Sequence, residues 1–264
     1  AAVYTTNLVK GAPILVTQAN LADGKAQAMV CNSGNANTCN ANGVEIAQGM
    51  CRLVEEAAGI PAGDVIVAST GVIGQPLSLA PIADGMPALA RGLGKHSDCA
   101  AHAIMTTDTA LKEVAISFTL GGVKCTLGGI AKGSGMIHPN MATMLVFLTT
   151  DAAVSPSILH QALQGCVDDT FNMISVDGDT STNDMVSIMA NGLAGNTPVE
   201  AADSEDYQSL CQALGRVCTA LCRDIAKDGE GATKLIRCIV KDAPDTATAK
   251  KAAKAVVCSN LLKA

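Results

Sequence analysis

The chain has 264 residues, a formal net charge of −6, 48% apolar residues and only 2% aromatic ones. So few rings and so little clustered positive charge exclude nucleic acid as a partner, because phosphate neutralisation and base stacking have nothing to work with. The apolar run at the middle of the chain covers only residues 144–148, against about 20 for a membrane helix. No membrane partner is therefore expected.

No charged, apolar and small-residue leader opens the chain, and its first residue, Ala1, places the numbering inside a longer gene product. Eleven cysteines occur without a Cys-x-x-Cys pair. Cys211, Cys218 and Cys222 fall on one stripe of an expected helix, where free thiols act as small apolar core residues. A reducing, cytoplasmic setting follows.

Glycines and short apolar runs alternate with amphipathic segments, which predicts an α/β or α+β chain. Residues 26–31 predict a buried strand that leads into the Asn/Gly loop 32–37. A helical period runs from Ile46 to Ala57 and closes at Gly59 and Pro61. Residues 65–69 predict a strand ending in Ser69-Thr70-Gly71. A hairpin is expected from 114–120 and 123–127 across Gly121-Gly122. A strand at 143–148, helices at 155–169 and 182–190, and a long helix at 204–226 follow. Beyond the tight turn 228–231, a strand at 233–240 and a helix at 246–262 complete the pattern. The last of these carries Ala252, Ala255, Val256 and Leu262 at helical spacing and has no stop signal, so the chain reads as cut within a helix.

Several common chemistries fail on residue identity. No Gly-x-Ser-x-Gly elbow and no His-Glu-x-x-His occur. The run Asp177 to Asn183 imitates a calcium loop, but Thr182 stands where glycine is needed and Ile188 where glutamate is needed. Asp177, Asp179 and Asp184 read instead as structural, loop-capping residues. No metal ligand set is expected.

The stretch Lys132-Gly-Ser-Gly-Met-Ile-His-Pro-Asn-Met-Ala-Thr-Met-Leu-Val-Phe-Leu carries chemistry. Gly133 and Gly135 permit backbone shapes closed to other residues, and Pro139 keeps His138 out of the helical region. Small Ala142 then precedes Thr143 at the head of an apolar strand. Attack of the Thr143 hydroxyl on the Ala142 carbonyl, followed by hydrolysis, would release an α-amine with a pKa of about 8 that can act as base for its own hydroxyl. Taken alone, Thr143 reads as a β-branched strand residue and nothing more.

The flanking sequence decides between these. The chain resembles the ornithine acetyltransferase family, also called glutamate N-acetyltransferase, of arginine biosynthesis. The resemblance covers 2–7 (Ala-Val-Tyr-Thr-Thr-Asn), 32–37 (Asn-Ser-Gly-Asn-Ala-Asn), 69–74 (Ser-Thr-Gly-Val-Ile-Gly) and 105–109 (Met-Thr-Thr-Asp-Thr). It continues through the stretch from Lys132, 176–184 (Val-Asp-Gly-Asp-Thr-Ser-Thr-Asn-Asp) and 228–232 (Asp-Gly-Glu-Gly-Ala). Each motif is modest by itself; all of them in the family's order over the whole chain are specific.

The resemblance implies a two-lobed α/β fold of N-terminal-nucleophile type with sheets sandwiched between helix layers. It implies an α chain of residues 1–142, bearing the oxyanion hole and substrate-binding residues, and a β chain of residues 143–264 released by cleavage between Ala142 and Thr143. Thr143 would be acetylated by N-acetylornithine and discharged by glutamate in a ping-pong cycle, without cofactor or metal. Thr70 and Gly71 would form the oxyanion hole, where a strand ends in a turn that exposes backbone N–H groups. Thr106, Lys132 and Glu230 would bind substrate, Lys132 through a carboxylate. A heterotetramer of two α and two β chains is expected, and acetyl-CoA is open as a second donor. The family carries a further C-terminal segment that supplies an asparagine and a hydroxyl residue to the pocket, so residues 1–264 alone are expected to turn over poorly. The competing readings are an N-terminal-nucleophile aminopeptidase or amidohydrolase, and an inactive truncated fragment of the transferase.

Overall fold

The computed structural model describes residues 1–94, 97–138 and 144–263. Its described strands are β1 (Ala2–Tyr4), β2 (Ala28–Asn32), β3 (Val65–Ser69), β4 (Lys112–Leu120), β5 (Val123–Lys132), β6 (Leu145–Thr150) and β7 (Met185–Ala190). The helices are α1 (Ala12–Asn20), α2 (Gly43–Ala58), α3 (Ala80–Gly92), α4 (Ser97–Ala103), α5 (Pro156–Asp169), α6 (Glu205–Lys227), α7 (Thr246–Val257) and α8 (Asn260–Lys263).

Two sheets form. One has the order β1-β7-β6-β5-β4, with β6 and β7 parallel and the other neighbours antiparallel; the other is the parallel pair β2-β3. Successive strand residues point to opposite faces, so three apolar cores place the layers. Val146 and Leu148 of β6, with Val186 and Ile188 of β7, pack on Leu163 and Val167 of α5 and Leu214, Val217 and Leu221 of α6. The alternate residues Leu145, Phe147 and Met185 meet Ile66 and Ala68 of β3, so the two sheets lie face to face. The far face of the small sheet, Val30, Val65 and Val67, is covered by Val16 of α1 and Met50 and Val54 of α2. The molecule is therefore helix, sheet, sheet, helix: an α/β fold with its sheets between helix layers. Strands β5 and β6 are hydrogen-bonded neighbours from Leu127↔Thr150 to Lys132↔Leu145.

Local chemistry explains the long elements. Helix α6 starts at Ser204, whose side chain accepts the Tyr207 N–H at 3.1 Å, and Glu205 and Asp206 favour its positive end. Cys218 and Cys222 are buried in its core stripe while Cys211 is half-buried, as expected for structural thiols. Helix α2 ends at Gly59 in the left-handed region, φ +70°.

Four expected elements differ. Residues 185–190 form strand β7, not the end of a helix. A parallel strand buried on both faces shows no polar alternation, so an apolar run of this length reads equally as helix. Residues 233–240 form no strand among the described residues. Their apolar residues pair with no sheet edge, and Ile239 is 62% exposed. The terminal helix breaks at Cys258–Ser259 into α7 and α8, and its expected inner residues Val256 and Leu262 are 42% and 50% exposed. Strand β5 runs on to Lys132 rather than stopping at 127. Helices α1, α3 and α4 and strand β1 were not anticipated. The expected start of a strand at Thr143 lies outside the described residues.

Candidate functional site

Strand β3 is buried along its whole length, and its end delivers Thr70, 3% exposed, to the junction of the two sheets. The Thr70 N–H donates to the Asn32 carbonyl at 2.9 Å, extending the β2–β3 ladder by one step. At Gly71 the chain turns with φ +114°, and a Cβ there would lie 2.6 Å from the Gly34 carbonyl carbon and 2.7 Å from its oxygen. Only glycine satisfies both constraints. Ala36 N–H then donates to the Val72 carbonyl at 2.8 Å, so the turn is clamped onto loop 32–37. One expectation is amended: the Thr70 backbone N–H is spent in the ladder. The Gly71 N–H makes no hydrogen bond among the described residues.

Asn183 locks this turn from the other sheet. Its Nδ2 donates to the Ser69 carbonyl at 2.8 Å and the Ala36 carbonyl at 2.6 Å. Its Oδ1 accepts the Thr38 and Thr182 hydroxyls at 2.5 and 2.7 Å. The buried amide thereby uses both donors and both lone pairs.

Lys132 is the last residue of β5. It has the parity of Ile130, on the face turned to the small sheet, and is 2% exposed. Its ammonium makes no hydrogen bond among the described residues; its ion pair with Asp108 Oδ2 is 3.9 Å long. That is beyond hydrogen-bond reach. Burial pulls the Lys132 pKa below the ordinary lysine value, against the raising influence of Asp108, Cys31 and Asp184 and with a further lowering from Lys112. Burial pushes the neighbouring Cys31 thiol up to about 12, with Lys132 opposing.

Asp108 is the centre of a buried ionic cluster. Its Oδ1 accepts Lys112 Nζ at 2.7 Å and the Gly133 N–H at 2.6 Å, and its Oδ2 accepts the Thr106 N–H at 3.1 Å. Lys112 Nζ also donates to Asp228 Oδ2 at 2.6 Å. Asp228 in turn accepts the Thr109 N–H at 2.9 Å, the Ala110 N–H at 3.2 Å and the Thr109 hydroxyl. Burial alone would raise both carboxyls. Lys112 and the N–H groups outweigh it, so Asp108 titrates below its ordinary value and Asp228 falls to about 2. The turn after Asp228 carries Glu230, whose N–H donates to the Ser134 carbonyl at 2.7 Å. Thr106 is thus hydrogen-bonded to Asp108 and Glu230 to Ser134, while Lys132 reaches Asp108 only as the 3.9 Å ion pair. A hollow of about 920 Å³ adjoins Glu230, Val176 and Arg223 without touching Lys132 or Thr70.

Residues 139–143, and with them Ala142 and Thr143, lie outside the described residues. The next residue is held firmly: Met144 N–H donates to Asp184 Oδ1 at 2.8 Å. Asp184 is fully buried, and burial raises its pKa well above the ordinary value against the Met144 N–H, the Ser181 hydroxyl and the Lys132 charge.

A sequence model of the ArgJ family matches residues 1–264. The chain belongs to the ArgJ family. It is 53% identical over 266 residues to the arginine biosynthesis bifunctional protein ArgJ of Symbiobacterium thermophilum, spanning 100% of this chain and 66% of that one. It is 50% identical over 265 residues to the protein of the same name from Caldanaerobacter subterraneus subsp. tengcongensis, with 100% and 66% covered. The crystal structure of arginine biosynthesis bifunctional protein argJ from Bacillus halodurans aligns at 43% identity and a TM-score of 0.48, over 54% of this chain and 75% of that chain. The chain thus spans 66% of the length of each of these two curated ArgJ relatives.

Within this ArgJ chain, the described residues singled out from sequence fall into two groups. Thr70 and Gly71 sit on the small-sheet side. Thr106, Lys132 and Glu230 sit on the ionic-cluster side. Asp177 and Asp184 act as expected for structural residues, with Asp177 Oδ1 accepting the N–H groups of Ile137 at 2.9 Å and Asp179 at 3.1 Å. Among the described residues no group of three or more His, Cys, Asp or Glu could hold a metal, and no helix is long and apolar enough to cross a membrane. Sequence reasoning missed Asp108, Lys112, Asp228 and Asn183. The signal available was Asp108 and Lys112 bracketing the head of β4, a spacing that mimics a surface helical pair.

Proposed function

We propose that this ArgJ chain transfers an acetyl group from N²-acetyl-L-ornithine to L-glutamate through Thr143, released by cleavage after Ala142. The observation that carries this reading is Lys132: a buried ammonium without a hydrogen bond among the described residues, on the residue that pairs in the β5–β6 ladder with Leu145, which follows Thr143 closely in the sequence. A buried cation left so is costly unless an anion joins it. Donor and acceptor both bring an α-carboxylate, which an ammonium recognises as a point charge.

The remaining residues take roles around it. The Thr143 α-amine removes the proton of its own hydroxyl, which attacks the acetyl carbonyl. The Thr70 hydroxyl and the Gly71 N–H stabilise the oxyanion. Ornithine leaves, and the glutamate amine attacks the acetyl ester by the reverse path. Thr106 hydrogen-bonds the substrate and Glu230 faces an amine. An αβ pair held together by the shared β5–β6 ladder, and assembled as a heterotetramer in the cytoplasm, suits a cut that leaves the sheet intact.

The test is mass spectrometry of the protein made from its whole gene. Two fragments are expected, the second starting at Thr143. Acetylornithine alone adds one acetyl group to that second fragment, and initial-rate plots give parallel lines. Thr143→Ala stays in one piece and transfers nothing. An intact 142–143 bond in an active preparation, or transfer without an acetylated fragment, rejects the reading.

A further inference from the structure

The ionic cluster poses a question the transfer chemistry does not answer. Asp108 is the nearest anion paired with Lys132, yet it stands 3.9 Å away while holding Lys112 at 2.7 Å. Nothing in the residue types prefers one lysine over the other. The difference is that Lys112 bridges two carboxylates, Asp108 and Asp228, both side chains 8% exposed or less. It sits where the attraction of two anions sums, and its own side chain is fully buried. The Asp108 oxygens are further occupied by the N–H groups of Gly133 and Thr106. Asp108 therefore has little acceptor capacity left for a second ammonium.

We infer that Lys112 is a positioning residue that occupies Asp108 and so keeps the Lys132 ammonium out of hydrogen-bond contact with it and open to a substrate carboxylate. This rests on the assignment of Lys132 as the carboxylate anchor. Without Lys112, Asp108 would draw Lys132 into a short ion pair, and an incoming carboxylate would compete with an internal one. The charged and titratable groups acting on Lys132 are Asp108, Cys31, Lys112 and Asp184. Of these, Lys112 is the one whose removal both deletes a repulsion and frees an anion.

The experiment uses the protein made from its whole gene. Because Lys112→Met alone leaves two buried carboxylates unpaired, it is accompanied by the charge-balanced Lys112→Met/Asp228→Asn variant. The first readout is the titration of the Lys132 amine, followed residue by residue through its pH-dependent acetylation by trace acetic anhydride and peptide mass spectrometry. In both variants Lys132 should become protonated to higher pH and acetylate more slowly at a given pH. The second readout is kinetic. KM for both acetylornithine and glutamate should rise by roughly tenfold, the scale of one hydrogen bond to a charged group, with kcat nearly constant. Lys112→Arg should restore both readouts. Unchanged Lys132 labelling in the folded double variant would overturn the inference, leaving Lys112 a structural ion. Shifted labelling with both KM values unchanged would support it and instead overturn Lys132 as the anchor.

Discussion

Around Thr70 the polar groups are amides and hydroxyls: buried Asn183 and Thr38 and half-buried Thr182 close their hydrogen bonds on one another and on the carbonyls of Ser69 and Ala36. Around Lys132 the buried groups are ions, Asp108, Lys112 and Asp228, closed by short pairs. Each network suits what it holds. In the proposed transfer the Thr70–Gly71 turn meets a developing negative charge, and neutral groups fix it best, since a carboxylate beneath it would oppose that charge. A site for a substrate carboxylate needs a cation, and a buried cation needs a balanced set of charges to be kept there. The two networks should therefore fail differently: the neutral one in the chemical step, the ionic one in binding.

The sharpest break of that comparison is the pair Thr70→Ala and Lys132→Ala. Thr70→Ala removes an oxyanion donor and should lower kcat by about 10²–10³ with little change in KM. Lys132→Ala should raise KM for both substrates by about tenfold or more, because both lose one charge-assisted hydrogen bond. Steady-state kinetics of the two variants decides the matter. If both changed kcat alone, the division of labour between the networks would be wrong.

Asn183→Asp offers a finer cut, since it keeps shape while exchanging two donors for acceptors. The new Oδ2 would face the carbonyls of Ser69 and Ala36, now 2.8 and 2.6 Å from a donor. Two buried carbonyls would lose their partners at about 1–3 kcal/mol each. Thermal unfolding should reveal that loss of stability. Where the variant folds, kcat should drop by about tenfold or more while substrate KM stays near the wild-type value. A variant that is destabilised with kcat untouched would show that Asn183 only cements the two sheets.

Much of this was legible in the sequence, and the exceptions have physical reasons. Strand β3 and its Thr70-Gly71 end could be read because a short apolar run closed by glycine is a local pattern. Helix α6 could be read from its heptad-like stripe of Leu210, Leu214, Val217, Leu221 and Ile225, all buried. Strand β7 could not, because its burial on both faces erases the alternation that marks a strand. The ionic cluster was hidden for a different reason. Asp108 and Asp228 are separated by more than a hundred positions, and their partnership exists only once β4 and the end of α6 are packed together. Asn183 was hidden inside a run of Asx and hydroxyl residues that local turn chemistry explains just as well. Residue type fixes what a side chain can bond; only the fold decides across what distance in sequence it does so.

The smallest effect expected is in the pH dependence of stability, where one carboxylate from each side of the junction should respond in opposite directions. Asp228, in the ionic cluster, titrates at about 2 in the folded protein, below its ordinary value of about 3.9. Its pairing therefore stabilises the fold above pH about 4, and that contribution is lost as pH falls toward 2. Asp184, beside the neutral network, has its pKa raised well above the ordinary value by burial. The unfolded chain releases this proton near pH 4 while the folded chain retains it, so folding loses stability as pH rises above that point. Asparagine mimics the neutral acid at 184, and its Oδ1 can still accept the Met144 N–H. Asp184→Asn should thus match the wild type near pH 3 and become progressively more stable than it toward neutrality. Asp228→Asn should be less stable than the wild type at neutrality and approach it near pH 2. The slope in either case is limited to about 1.4 kcal/mol per pH unit for one proton. Urea unfolding midpoints of the three proteins between pH 2 and 8 measure both trends. If Asp184→Asn lost stability with rising pH as Asp228→Asn does, the Asp184 carboxyl would be ionised in the fold. Lys132 would then have a full counter-charge in Asp184 beside its 3.9 Å pair with Asp108, and its ammonium would not be open to substrate.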